Sequence, residues 1–309
     1  MSIFSSFGTD VNGLSLVEAN EKADLNWTVN KSPIVADNDG ISVTTNRFFA
    51  TVRTDNDTIL GIVGPDYQVI QNQELGFMAE QISDKVKIET AGCLGGGQRV
   101  WYLMRGNSFN VGKRDDEVRP YTLFTSGHNG LHALDILPTS VRVICENTLN
   151  LALSTRKMGI SIKHTGNVQE RIDSLVEGIQ QFQKVTEVFA NKANDLANKN
   201  VTVEFVQKFW TQVYMNMFGD IHNNPSNEKE VDANNRAASV MIRWSNTFDE
   251  EAGQVGYNMW NAANAVTNWL DHGQIYRGNK KTENKFNDVV FGNRAKYKID
   301  VMNAALALV

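Results

Sequence analysis

The hydrophobic period of this chain changes once, near residue 165, and that change limits the fold more than any motif does. Upstream, short runs of apolar and β-branched residues alternate with polar ones, the pattern of strands. The run Gly40–Arg53, read as one strand or two, and the strand Thr58–Val63 flank the turn Asp55-Asn56-Asp57 and predict a β-hairpin. Val86–Ala91 and Gln98–Arg105, joined by the glycine-rich turn Cys93–Gly97, predict a second one; Arg119–Ser126 and Leu134–Ile144 predict further strands. Asn72 is placed to cap a helix reaching about Ser83, with Leu75, Met78, Ala79 and Ile82 on one face. Downstream, Val168, Ile172, Leu175, Ile179, Phe182, Val185 and Phe189 recur at helical spacing and predict one helix of roughly 25–30 residues. Shorter helices are predicted over 203–218, 236–248, 257–271 and 294–307, with a polar loop over 220–235. Residues 1–30 read as polar and peripheral. No Pro- or Gly-rich linker marks the boundary. The expectation is an α+β fold in one continuous unit. A sheet-rich region (1–165), with an antiparallel sheet and hairpins, is packed by the long helix and followed by a helical lobe (166–309).

Composition removes several functional classes. The two cysteines, Cys93 and Cys145, cannot form a disulfide framework and cannot hold zinc without His or carboxylate help, which points to a reducing compartment, the cytoplasm. No run approaches the ~18 apolar residues of a membrane span, and Met1–Phe7 lacks the basic n-region of a signal peptide. The net charge is −5, distributed as −7 over 1–90, +4 over 91–165 and −2 over 166–309. An acidic total disfavours indiscriminate wrapping of nucleic acid, while the basic middle leaves room for a local phosphate-binding face.

Two groups of residues carry candidate chemistry. In the first, Arg99, Trp101, Tyr102 and Arg105 interleave cations and aromatics on one predicted strand, followed by Lys113, Arg114, Arg156, Lys157 and Lys163. Strand alternation sets Arg99, Trp101, Leu103 and Arg105 on one face. Aromatics that stack on bases beside cations that neutralise phosphates suit single-strand binding. In the second, Arg142 and His128 would meet near a helix N-terminus opened by Asn147, with Cys145 as a candidate nucleophile. His128 and His132 have the i, i+4 spacing of metal ligands, but glycines around them indicate a loop, so no metal and no cofactor is expected. The turn at Cys93–Gly97 lacks the Gly-Lys-Ser/Thr of a phosphate-binding loop. In Met259–His272, buried Asn264 and Asp271 with His272 would form a polar network with Arg277.

Three stretches carry a family resemblance. They are Gly64–Asn72 after the first hairpin; Gly127-His128-Asn129-Gly130 with Pro138 and Val141–Leu149; and Trp260–His272 with Arg277 and Phe291–Lys296. Together they resemble, over residues 25–308, a phage- and plasmid-borne family catalogued as a domain of unknown function, number nine-three-two. That family usually has Ser-His-Asp-Gly where this chain has Gly127-His128-Asn129-Gly130; Asn129 is a poor base or metal ligand, which counts against acid–base or metal chemistry here. The resemblance implies an accessory of mobile-element DNA metabolism and no named activity. A sheet of hairpins packed by a long helix is also similar in plan to phage single-strand annealing proteins, which assemble into rings or filaments. The reading is a DNA-binding protein that acts on single-stranded DNA as a homo-oligomer. An enzyme acting on a nucleotide or phosphodiester at His128, Arg142, Cys145 and Asn147 ranks second, and a host-directed inhibitor working by protein contact is a third reading.

Overall fold

A computed structural model describes residues 2–81, 87–114, 116–144, 148–150, 159–167 and 175–309. Cys145, Asn147, Arg156 and Lys157 lie outside the described residues.

The first half builds two antiparallel sheets. The larger has the order β1 (Thr9–Asp10), β5 (Lys87–Leu94), β6 (Arg99–Arg105), β8 (Asp116–Gly127), β9 (Leu134–Arg142), β10 (Thr148–Asn150); β7 (Phe109–Val111) pairs with β8, and β11 (Ile160–Ile162) with β9. The smaller has the order β2 (Val29–Asn38), β3 (Ile41–Arg53), β4 (Ile59–Val63). The predicted β3–β4 hairpin is present, and β2 extends it by a strand that the sequence signals do not announce.

The larger sheet is buried on both faces. On one, Val100, Tyr102 and Met104 of β6 join Phe124 and Ile136 beneath α2 (Leu16–Lys22) and α3 (Asn72–Gln81). On the other, Trp101 and Leu103 join Leu123, Ile3, Phe4, Phe286 and Val289 from α1 (Ile3–Phe7) and α8 (Lys281–Val290). Residues 1–30 are therefore not peripheral: Ile3, Phe4 and Val11 are buried core residues.

The second half is helical. α4 (Leu175–Asn198) lies over β7 and the start of β8, where Phe189 meets Val111 and Val118. α5 (Val203–Phe218) matches its predicted span, capped by Thr202. α6 (Glu228–Val255) begins inside the stretch expected to be loop; Asn227 accepts the Glu230 N–H and Glu230 returns a carboxylate, which supplies the N-terminus. α7 (Met259–His272) is buried almost all round and is the axis of the lobe; α9 (Asn293–Leu306) packs on it. The long helix packs on the sheet as expected, and the fold is α+β.

The small sheet is keyed to the large one where β3 and β4 meet the loop after β8. A Cβ on Gly61 of β4 would lie 2.4 Å from the Asn129 Cα and 2.7 Å from its carbonyl oxygen. Beside it Thr51 Oγ1 donates to the His128 carbonyl at 2.6 Å. Both obstructing atoms are backbone, so Gly61→Val is expected to lever the sheet away at a cost of about 1–3 kcal/mol. Hydrogen exchange checks this: the Ile62 and Val63 amides exchange faster in the variant while those of β6 do not.

Candidate functional site

Two of the stretches that carry the family resemblance meet at the seam between the large sheet and the helical lobe, one through Arg142 and Thr148 and the other through Trp260 and Asp271. Arg142 ends β9, fully buried, and its Nε donates to Asp116 Oδ2 at 2.6 Å. Its Nη1 donates to Glu251 of α6, and the Trp260 indole N–H of α7 donates to the same Asp116 oxygen at 2.7 Å. Eleven residues along α7, Asp271 accepts from both the backbone N–H and the hydroxyl of Thr148 on β10. Lys298 of α9 completes the cluster, donating to Asp271 Oδ1 at 2.8 Å and to the Thr148 hydroxyl. Burial pushes the Lys298 ammonium below its ordinary pKa, and Asp271 opposes that shift. Trp260, Asn264, Thr267 and Asp271 share one face of α7, and all are buried. Of the expected network Asp271 is in place with Lys298 as its cation, while the Asn264 amide donates to the Trp260 carbonyl of its own helix. Arg277 and His272 are exposed.

A lysine held against a hydroxyl is an arrangement that can activate a nucleophile. Here Thr148, Asp271 and Lys298 are each no more than 2 % exposed, so in this conformation the cluster joins sheet to lobe and meets no substrate. Burying so many charges is tolerable only because each is paired.

A second buried network lies at the opposite end of β8. His128 Nε2 lies 2.9 Å from Asn72 Oδ1, and the Asn72 amide group donates to the carbonyls of Leu25 and Trp27. That fixes Asn72 Oδ1 as acceptor and His128 as the Nε2–H tautomer. His128 Nδ1 has no partner among the described residues, and burial pushes the ring's pKa down to about 3, with a smaller contribution from His164. Burial lowers His164 too; it stands between the Gln68 carbonyl and the Ser126 hydroxyl and stacks on Tyr67 at 4.8 Å.

Two sequence expectations are corrected here. Arg142 and His128 do not meet: Arg142 pairs with Val118 and His128 follows Gly127, so nine residues of β8, roughly 30 Å, separate them. Trp101 and Tyr102 offer bases no surface, because both faces of β6 are covered. Trp101 stacks on Phe286 at 4.9 Å, and the Tyr102 hydroxyl donates to Asn20 at 2.7 Å. Arg99 is also buried; its guanidinium lies 3.4 Å from the Phe291 ring centre and 3.6 Å from Asp135, and burial pushes its pKa down to about 10. Arg105 is half-exposed opposite Glu89 at 3.5 Å. Lys113, Arg114 and Lys163 reach solvent, and Arg114 donates to the Ala252 and Gly253 carbonyls near the end of α6. Among the described residues, no group of three or more His, Cys, Asp or Glu is placed to hold a metal ion. No helix among them is long and apolar enough to cross a membrane.

The helical lobe carries a cleft that no sequence motif announces. An open cleft of about 720 Å³ runs between α5, α6 and the loop after α7. Tyr214, Phe218 and Trp269 form its apolar wall, Phe218 meeting Trp269 edge-on at 5.9 Å. Arg236 and Arg243, seven apart on α6, line the other side with Asp232, Asn235 and Ser239; Asp220 and Gln274 complete the polar set. Their spacing is the available signal: residues 232, 235, 236, 239 and 243 share one helical face, polar where the opposite face is core.

No curated protein and no solved structure matches this chain. One family model does, over residues 59–291, three quarters of the sequence and all of the elements from β4 to α8. The chain belongs to the family described as domain of unknown function DUF932.

Proposed function

We propose that this protein binds single-stranded nucleic acid along the cleft of its helical lobe and acts as an assembly of several copies in the DNA metabolism of a phage or plasmid. The observation that carries the reading is the pairing of an aromatic wall, Tyr214 and Phe218, with two arginines on the facing helix. Phe218, 44 % exposed among Tyr214, Trp269 and Tyr297, is the ring of this wall that a base can reach. Arg236 and Arg243 are spaced to meet a phosphodiester backbone, and Asp220 and Asp232 are acceptors for exocyclic amino groups of bases. The stacking role expected of Trp101 and Tyr102 thus passes to a different part of the chain. Of the expected phosphate contacts, Lys113, Arg114 and Lys163 keep the required exposure.

Fluorescence anisotropy with a labelled single-stranded oligonucleotide tests this at low and moderate salt. Replacing Arg236 and Arg243 together by alanine is expected to weaken binding at least tenfold. It should also flatten the slope of log K against log salt by about 1.4, two contacts at ~0.7 each. A wild-type protein that fails to bind at low salt, or a double variant with unchanged slope, contradicts the proposal. A slope flattened instead by Lys113→Ala with Lys163→Ala would move the binding path to the sheet.

A further inference from the structure

We propose that the cleft of the helical lobe takes the free end of a single strand. The terminal base and its hydroxyl lie at the Asp220–Asp232 end, and the rest of the strand leaves past Arg243 over the loop that follows α7. This rests on the functional reading above and names its substrate class: strands with an open end.

Separate hydrogen bonds fix the two ends of the cleft. At one, the Asn234 side chain of α6 accepts the His222 N–H at 2.9 Å and donates to the His222 carbonyl at 2.7 Å. That clamps the loop after α5, which carries Asp220, beside the first turns of α6, which carry Asp232. At the other, Arg243 Nη1 donates to the Gly273 carbonyl at 3.3 Å and holds the loop after α7 there. α5 and α6 run antiparallel, with Trp210 against Phe248 and Tyr214 against Trp244. Asp232 and Arg243 stand eleven residues apart, about 16 Å along the helix axis. The aromatic wall therefore borders a cleft with two distinct ends.

Those ends have opposite charge. Residues 219–233 hold Asp220, Glu228, Glu230 and Asp232 against Lys229, a net −3. Residues 272–282 hold Arg277, Lys280 and Lys281 and no acid, a net +3. All three of these cations are exposed, as are Asp220 and Asp232. Arg277 is two residues beyond Ile275 of the cleft lining, so the chain keeps it within about 7 Å of that residue. The Tyr276 hydroxyl donates to Asp288 of α8 at 2.6 Å, which turns the loop toward α8. A strand following that loop diverges from Asp249 and Glu250, the next acids along α6, neither of which lines the cleft.

A strand threaded through the cleft would carry a phosphate charge at every nucleotide past both ends. The basic end favours that charge and the acidic end repels it. A strand that stops inside meets no such conflict. Its phosphates stay with Arg236, Arg243 and the basic loop. Its last base and terminal hydroxyl are uncharged, and their N–H and O–H groups donate to the carboxylates. The terminus must be a hydroxyl, because a terminal phosphate would bring back the charge that Asp220 and Asp232 exclude.

Titration of an internally labelled linear strand, and of the same strand ligated into a flexible circle, tests the proposal. The linear form is expected to bind at least tenfold more tightly. A phosphate added at one terminus, 5′ or 3′, should weaken binding at least fivefold, and the sensitive terminus is the one the cleft holds. Asp220→Asn with Asp232→Asn should bring the ratio of the two affinities toward one. Arg277→Ala with Lys280→Ala and Lys281→Ala should flatten the salt slope for the linear strand by about 2, three contacts at ~0.7 each. A circle bound as tightly as the linear strand overturns this inference and leaves the cleft reading standing. So does indifference to phosphate at both termini, or an unchanged slope in the triple variant. Failure to bind either form overturns both.

Discussion

Replacing Arg142 by methionine is expected to destabilise the protein by about 3–5 kcal/mol, enough to unfold much of the population at 37 °C. The change leaves Asp116 and Glu251 facing one another in a dry seam, with the Trp260 indole N–H as the donor remaining to Asp116. The cost comes from the stranded carboxylates more than from lost attraction. Adding Asp116→Asn and Glu251→Gln to the same chain should therefore recover a large part of it. Urea denaturation of the single and combined variants provides the check. A single variant within 1 kcal/mol of the native chain would show that the seam is not the closed ionic joint described here.

The second large effect is acid lability. The unfolded chain protonates His128 near its ordinary value of 6.5, whereas the folded chain holds it neutral down to about 3. Between those values the unfolded state binds more protons, so stability rises with pH and is lost as pH falls below 6.5. The slope from this one group is about 1.4 kcal/mol per pH unit, or roughly 5 kcal/mol across the window. His164, also lowered by burial, acts in the same direction. His128→Gln, which can keep a donor to Asn72 without titrating, is expected to flatten the stability profile between pH 6.5 and about 3. Identical profiles for the two proteins would contradict the neutral, buried assignment of His128.

Periodicity carried most of the fold because it reports which side of an element is dry. α5 and the strands β6, β8 and β9 follow their patterns closely. The alternation of β6 is likewise correct, yet it misleads about function: Trp101 shares a face with Leu103 as expected, but that face is roofed by α1 and α8. Neither roof has a strong signal. α1 is five residues long, and α8 has only Phe286, Val289 and Val290 apolar in ten. A strand buried on both sides also looks much like a strand with one binding face when aromatics and arginines lie on it. The seam was half legible. Asn264, Thr267 and Asp271 announce a polar face on α7, and Lys298 stands among Ala295, Val301, Met302 and Ala305 where an apolar residue belongs. Which partner would join them was not, because Thr148 stands 123 residues from Asp271 and 150 from Lys298 in sequence. The cleft depends on three helices meeting and has no local signature beyond the polar face of α6.

Photo-cross-linking of an iodouracil-substituted single strand, followed by peptide mapping, tests the central claim most directly, because the reaction favours aromatic side chains stacked on the base. The account predicts adducts at Tyr214 or Phe218, reduced at high salt and by Arg236→Ala with Arg243→Ala. Adducts confined to the ribbon 34–49 or to the sheet around Arg105, with none in the helical lobe, would contradict it.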